Sequence, residues 1–208
     1  MKLEVSAVED MEKRVPEESR ETNTKVQKTV LSYLHDLVFG LVAVLLVFML
    51  VFRVIVVSGP SMMQTLQNGD CIVLLSSVFC GEPERGDIVV VSKEAYKDGE
   101  PIIKRVIATE GQEVYIANGD VYVDGELLNE PYTNTPTTLY AEIPFKQIVE
   151  KGCVFVMGDN RNNSKDSRSP DIGQIDKREI LGKALVLALP GKDGVTEKRD
   201  FKRIGVLW

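Results

Sequence analysis

Ser61 lies in the segment Val57-Ser58-Gly59-Pro60-Ser61-Met62-Met63-Gln64-Thr65-Leu66, where glycine and proline bend the chain and a tight bend exposes a hydroxyl for nucleophilic attack. Read alone, the same residues are those of an ordinary linker between a helix and a strand. A serine nucleophile needs a base, and the one histidine of the chain, His35, precedes a long apolar run and stands apart from everything downstream. The downstream domain therefore has no Ser-His-Asp or Cys-His arrangement, and it lacks the commonest zinc ligand. The known alternative base is a lysine amine held neutral by apolar surroundings. Lys104, in Pro101-Ile102-Ile103-Lys104-Arg105-Val106-Ile107, meets that need, because strand alternation sends it to the side of Ile102 and Val106. Desolvation there favours the neutral amine, and Arg105, pointing the other way, adds a positive charge acting in the same sense. A solvated lysine on the open face or edge of a sheet has the same local pattern. The third polar element is Met157-Gly158-Asp159-Asn160-Arg161-Asn162-Asn163-Ser164-Lys165-Asp166-Ser167-Arg168. Its short hydrogen-bonding side chains can satisfy one another and the backbone, holding a loop rigid enough to support a site. An Asx-rich turn is its simpler reading.

These residues must be positioned by a domain that reads as β-rich. Apolar runs at 71–75, 88–91, 102–108, 114–117, 121–123, 153–157 and 181–189 are mostly short and rich in Val and Ile. Asn118-Gly119 and Asp124-Gly125 mark two tight reversals in succession, the signature of an antiparallel meander. Ahead of this domain, every residue from 37 to 52 is apolar or glycine, and after Arg53 the run resumes as Val54-Ile55-Val56-Val57. Residues 37–57 therefore read as a transmembrane helix, with Arg53 extending its charged head to the interface. The run is too long for a cleavable signal peptide, and it shows no polar face of the kind a buried core helix keeps. Residues 1–36 are rich in Glu, Lys, Arg, Thr and Ser and read as a disordered tail. Arg20, Lys25 and Lys28 approach the span from the amino side, whereas the first basic residue after Arg53 is Arg85, which puts the tail in the cytoplasm and residues 58–208 outside.

Composition closes off other classes. A net charge of -6 with 44% hydrophobic residues gives no uniformly basic surface, so nucleic acid is not an expected partner. Cys71, Cys80 and Cys153 form no C-x-x-C pair and read as small apolar packing residues, although a Cys71–Cys80 disulfide is permitted in an oxidising compartment. No metal site or cofactor motif is expected.

S-M-M-Q-T-L after a membrane span, G-D-I-V-V-V, I-K-R-V-I and G-D-N-R-N-N-S-K-D-S-R follow one another in the order of bacterial type I signal peptidases. The chain resembles that family over the span and nearly all of the outer domain, continuing through Gly173-Gln174-Ile175 and Ile180-Leu181-Gly182-Lys183-Ala184. The resemblance implies a mostly-β, antiparallel catalytic domain preceded by one amino-terminal transmembrane helix, docked at the outer leaflet of the cell membrane. It implies an endopeptidase that removes signal peptides from exported preproteins after small residues of the Ala-x-Ala type. Secretory preproteins, membrane lipids and proximity to the Sec translocon come with it as partners, and no cofactor does. Residue by residue, Ser61 resembles the nucleophile, Lys104 the general base and Ser164 the hydroxyl that orients the lysine amine. Asp166 and Arg168 resemble a supporting ion pair, the motif containing Asp87 resembles a structural strand element, and the Ser61 backbone N–H resembles an oxyanion donor. Archaeal, endoplasmic-reticulum and sporulation-type relatives use histidine in place of the lysine, so Lys104 points to the bacterial lysine-dependent subtype.

Two residues depart from the family pattern. Gln64 stands where a proline is usual, which is expected to loosen the bend by some tenths of a kcal/mol to about 1 kcal/mol without abolishing activity. Gly59 stands where some members carry an oxyanion-binding serine, and Ser58, shifted by one position, does not inherit that role. Ala108-Thr109-Glu110-Gly111 also differs from the leucine-proline pair usual after the lysine strand. The rival readings are a self-cleaving repressor-type Ser/Lys protease, which the span argues against, and a non-catalytic membrane-anchored β-domain with a decayed site.

Overall fold

The computed structural model describes residues 17–93, 99–133, 135–138, 145–192 and 197–207, and the chain divides into two compact units, residues 1–49 and 50–208. The amino-terminal unit is dominated by α1 (Glu17–Val51). Its stretch Gln27–Val51 is 25 residues long with a mean hydropathy of 2.6, and none of it is buried. At 1.5 Å per residue this stretch is about 38 Å long, more than the roughly 30 Å hydrocarbon core of a bilayer.

Both ends of this helix differ from the sequence expectation. Residues 17–36, expected to be part of a disordered tail, are helical, while residues 1–16 lie outside the described residues. No Gly or Pro interrupts the chain between Glu17 and Phe39, and once an apolar helix exists each added residue gains a hydrogen bond without a new nucleation penalty. At the other end the helix stops at Val51, and Phe52–Val56 form β1 instead of completing a span to residue 57. Consecutive β-branched residues favour a strand, and β2 (Cys71–Ser76) supplies a partner in antiparallel register, Phe52 opposite Leu75 and Val56 opposite Cys71.

The second unit is built on two antiparallel sheets. Its other strands are β3 (Ile88–Val91), β4 (Ile102–Thr109), β5 (Glu113–Ala117), β6 (Asp120–Val123), β7 (Glu126–Leu127), β8 (Phe145–Ile148), β9 (Cys153–Met157), β10 (Ile175–Asp176), β11 (Ile180–Leu189) and β12 (Gly205–Val206). The larger sheet runs β1-β2-β11-β3-β4-β9-β10 with β12 on β11, and the smaller runs β7-β6-β5-β8. The expected meander is present: Asn118-Gly119 joins β5 to β6 and Asp124-Gly125 joins β6 to β7, all four residues with positive φ as two-residue hairpin turns demand. Strands β1, β7, β8, β10 and β12 were not foreseen; four of them are short or edge pieces, and β1 was hidden inside the apolar run.

Apolar residues on both faces of the large sheet are buried. Ile72, Leu74, Ile88, Val90 and Ile103 join one cluster, and Val89, Val91, Val106, Val154 and Val156 another. A third forms where Val114, Ile116, Val121 and Val123 of the small sheet meet Ile107, Phe155 and Met157. Residues 103–108 are buried throughout, so β4 carries Lys104 through the buried core. Cys71, Cys80 and Cys153 are free thiols, so the permitted Cys71–Cys80 bond is not made.

Asp70 ties the carboxyl-terminal segment to the base of the Ser61 loop. Its carboxylate, fully buried, accepts from Gln67 N–H at 2.7 Å, from Gly191 N–H at 2.7 Å and from both Arg203 terminal nitrogens at 2.9 and 2.6 Å. Burial alone raises this carboxyl, but the hydrogen bonds from Arg203, Gln67 and Gly191 outweigh it and hold it below its ordinary value. A depressed carboxyl stabilises the fold fully above its unfolded value and loses that contribution as pH falls through the folded one. Asp70→Asn is therefore expected to lower the unfolding midpoint at neutral pH, by roughly 2 kcal/mol, and to flatten the acid limb of the stability profile. Thermal unfolding of wild type and variant at several pH values reads both; an acid limb of unchanged steepness in the variant would sink this assignment.

Candidate active site

The Ser61 loop leaves the sheet at Val57 and returns at Asp70, and it closes on itself there: Val57 N–H donates to Asp70 O at 2.7 Å and Gly69 N–H to Val57 O at 2.8 Å. Met62 and Leu66 are fully buried and pack with Ile72 and Leu74, which anchors the loop beside Ser61 in the core. Three bonds close the turn itself: Met63 N–H to Pro60 O at 3.0 Å, Thr65 N–H to Met62 O at 3.0 Å and Leu66 N–H to Met62 O at 2.8 Å. Gln64 adopts φ +98°, a conformation that proline, locked near roughly -65°, does not reach. The expectation that Gln64 merely loosens a proline-type bend is therefore replaced. The bend is closed, and it uses a left-handed backbone at the departing residue, a strain of order 1 kcal/mol or more.

Lys104 is 3% exposed, and its amine donates to Ser61 Oγ at 2.9 Å and to Ile103 O at 3.0 Å. Its backbone faces Val89 across the β3–β4 ladder, so the side chain projects from an inner strand rather than from an edge. Ile102 and Val106 pack in one cluster and Ile103 in the other, as strand alternation requires. Arg105 does not act as the uncompensated charge expected of it. It is 1% exposed and forms a bidentate pair with Asp159, Nε to Oδ1 at 2.9 Å and Nη2 to Oδ2 at 2.8 Å, while Nη1 donates to Gly86 O at 2.8 Å. A carboxylate at that distance cancels most of the field that Arg105 would exert on its neighbour.

Ser164 is 9% exposed and lines, with Ser61 and Lys104, a cavity of about 430 Å³ walled on its apolar side by Ile55, Ile102 and Ile103. Gly158 lies where its loop packs against both Ser164 and the Ser61 backbone. A Cβ built there falls 2.3 Å from Ser164 Oγ and 2.5 Å from the Ser61 carbonyl oxygen. Asp166 and Arg168 are paired and buried, Nε to Oδ1 at 2.8 Å and Nη2 to Oδ2 at 2.8 Å. Asp166 also accepts from Gly158 N–H at 3.0 Å, and Arg168 donates to Arg161 O at 2.6 Å and Thr138 O at 3.0 Å. All five site residues expected from sequence are thus brought together: Ser61, Lys104 and Ser164 at the cavity, Asp166 and Arg168 behind it. Asp87 sits in a turn, accepting from Glu84 N–H at 2.9 Å and pairing with Lys183 at 2.5 Å, in keeping with a structural element.

Sequence reasoning missed the residues that join the loops. Asn160 donates from its backbone to Ser61 O and from its side-chain amide to Pro60 O, both at 3.0 Å. Asp159 accepts from Thr65 Oγ1 as well as from Arg105, so one carboxylate links the lysine strand to the serine loop. Arg161 pairs with Glu130, and the Tyr132 ring lies 4.0 Å from the Arg105 guanidinium and 5.9 Å from that of Arg161. Burial, and then the Glu130 charge, push the Tyr132 hydroxyl well above the usual phenol range. The dense polar composition of residues 157–168 signalled such a web, but no sequence pattern names its partners. Among the described residues no buried side-chain nitrogen or oxygen lacks a hydrogen bond.

Comparison with known proteins identifies the family. The family described as signal peptidase, peptidase S26, matches residues 30–189. Signal peptidase I S of Bacillus subtilis is 32% identical over 177 residues, covering 81% of this chain and 94% of the relative. A probable signal peptidase I-1 of Synechocystis is 39% identical over 141 residues, 64% of this chain and 69% of the relative. A crystal structure of a signal peptidase I from Enterococcus faecalis, 26% identical, covers 50% of this chain and 97% of its own with a TM-score of 0.42. With most of its length matched by the family and by a relative of this identity, the chain belongs to the signal peptidase family, peptidase S26.

Proposed function

We propose that this membrane-anchored serine endopeptidase cleaves signal peptides from exported preproteins with Ser61 as nucleophile and Lys104 as general base. The observation that carries this reading is the 2.9 Å contact between Lys104 Nζ and Ser61 Oγ in a cavity of a domain without histidine. In its neutral form the enclosed amine accepts the Ser61 proton as Oγ attacks the scissile carbonyl, then returns it to the leaving amine. Water clears the acyl-enzyme by the same route. The Ser61 N–H donates to the developing oxyanion, Ser164 orients the amine, and the Asp166–Arg168 pair holds the Ser164 loop. Small residues of the Ala-x-Ala type suit a cavity walled by Ile55, Ile102 and Ile103.

In this reading residues 58–208 are the extracytoplasmic peptidase domain, and residues 37–57 keep the anchoring role although the helix ends at Val51. Arg20, Lys25 and Lys28 on the amino side favour a cytoplasmic tail, and a catalytic domain on the far side of the lipid bilayer meets preproteins as they leave the Sec translocon. The non-catalytic reading is less favoured, because Ser61, Lys104 and Ser164 share one cavity.

Detergent-solubilised protein is expected to cut a preprotein with an Ala-x-Ala site at the bond following the second alanine. The rate should rise from neutral to mildly alkaline pH as the Lys104 amine loses its proton. A rate independent of pH over that range would count against a lysine base, and no cleavage at all would favour the non-catalytic domain.

A further inference from the structure

The geometry points to Asn160 as the residue that aims the oxyanion donor. This rests on the assignment of Ser61 as nucleophile with its own backbone N–H as donor. That N–H belongs to the Pro60–Ser61 peptide, whose planarity makes the direction of the N–H the reverse of the Pro60 carbonyl. The Pro60 carbonyl is held by two donors, Met63 N–H at 3.0 Å from within the turn and Asn160 Nδ2 at 3.0 Å from the opposing loop. The next carbonyl, that of Ser61, accepts Asn160 N–H at 3.0 Å. Asn160 thus grips the peptide groups on both sides of the nucleophile. Asn160 is itself fixed, because Asn163 N–H donates to its carbonyl at 3.0 Å and Asp159 beside it is locked by Arg105. Met63 holds the Pro60 carbonyl only from within the same turn. The Asn160 amide ties it to the loop that also carries Ser164, so donor and lysine-orienting hydroxyl keep a fixed relation.

Asn160 touches no reacting atom and is a positioning residue, whose loss should weaken the transition state and spare the ground state. Two probes separate these. A peptide aldehyde ending in alaninal captures the oxyanion, because Ser61 Oγ bonds to the carbonyl carbon, the π pair moves onto oxygen and the serine proton passes to Lys104. The matching peptide alcohol occupies the same cleft without bond formation. For Asn160→Ala, kcat and aldehyde affinity are expected to fall by roughly tenfold, short of the 10²–10³ that follows outright loss of an oxyanion donor, with alcohol affinity unchanged. If aldehyde and alcohol affinities fall together, or if neither falls and kcat holds, the proposal is overturned. Asn160→Ser gives the same readout should the alanine variant unfold. Ser61→Ala tests the underlying assignment separately, since it should reduce aldehyde affinity to that of the alcohol; aldehyde binding as tight as in wild type would remove the nucleophile whatever Asn160 does.

Discussion

Ser61→Ala and Lys104→Met are each expected to slow cleavage of an Ala-x-Ala preprotein by on the order of 10⁴-fold or more, with the thermal midpoint little changed. In the proposed mechanism Ser61 Oγ forms the acyl-enzyme, and alanine there removes it without disturbing the three hydrogen bonds that close the turn, all of which are made by backbone groups. Lys104→Met keeps the volume and apolar stem of a residue that is 3% exposed while removing the amine that contacts Ser61 Oγ at 2.9 Å. Because the two residues act as a unit, the double variant should be no slower than either single one. Side-by-side turnover of the three variants with wild type provides the check. A Lys104→Met enzyme within tenfold of wild type would transfer the base to another group, and additive losses would show that serine and lysine act independently.

Gly158→Ala is expected to lower kcat by about 10²-fold, the scale on which a misplacement near 1 Å acts on catalysis. The glycine is needed for space: its added Cβ meets Ser164 Oγ at 2.3 Å, Ser61 O at 2.5 Å and Ser164 Cβ at 2.6 Å. Ser164 could rotate its hydroxyl away, but the Ser61 carbonyl is backbone and is held by Asn160, so relief must come from separating the two loops. That separation would draw Ser61 Oγ away from Lys104 and the Ser164 hydroxyl from both. The loss should therefore appear in kcat more than in KM, which also reports the apolar wall of Ile55, Ile102 and Ile103. Steady-state kinetics of the variant settle this, and a kcat within about threefold of wild type would mean that the loops yield elsewhere.

Much of this protein is legible in its local chemistry. Asn118-Gly119 and Asp124-Gly125 demand positive φ and so announce their hairpins, and seven Val- and Ile-rich runs coincide with strands to within a residue at each end. A serine in a Gly-Pro bend, a lysine in an apolar strand and a loop crowded with Asn, Asp and Ser are likewise visible as residue types. The structure departs from these expectations where a local pattern has two solutions. Val54-Ile55-Val56-Val57 is apolar enough to extend a transmembrane helix and β-branched enough to form a strand, and the free edge of β2 decides between them. Residues 17–36 are too polar to fold alone, yet helix propagation from the apolar stretch orders them from Glu17 onward.

What the sequence by itself determined is therefore seven of the strands, the two hairpin turns and the residue types available to a site, because hydrophobic periodicity, turn chemistry and the absence of histidine beyond His35 act over a few residues or on composition alone. Tertiary structure decided who meets whom. Lys104 reaches a serine 43 positions earlier, Asn160 grips a peptide 100 positions away, and Asp159 turns Arg105 from a bare neighbouring charge into a neutralised brace. Such pairings depend on how β4, β9 and two loops are brought together by a buried core. A hydrogen bond across that distance leaves no periodic trace in the chain, since either partner alone is only an ordinary polar residue.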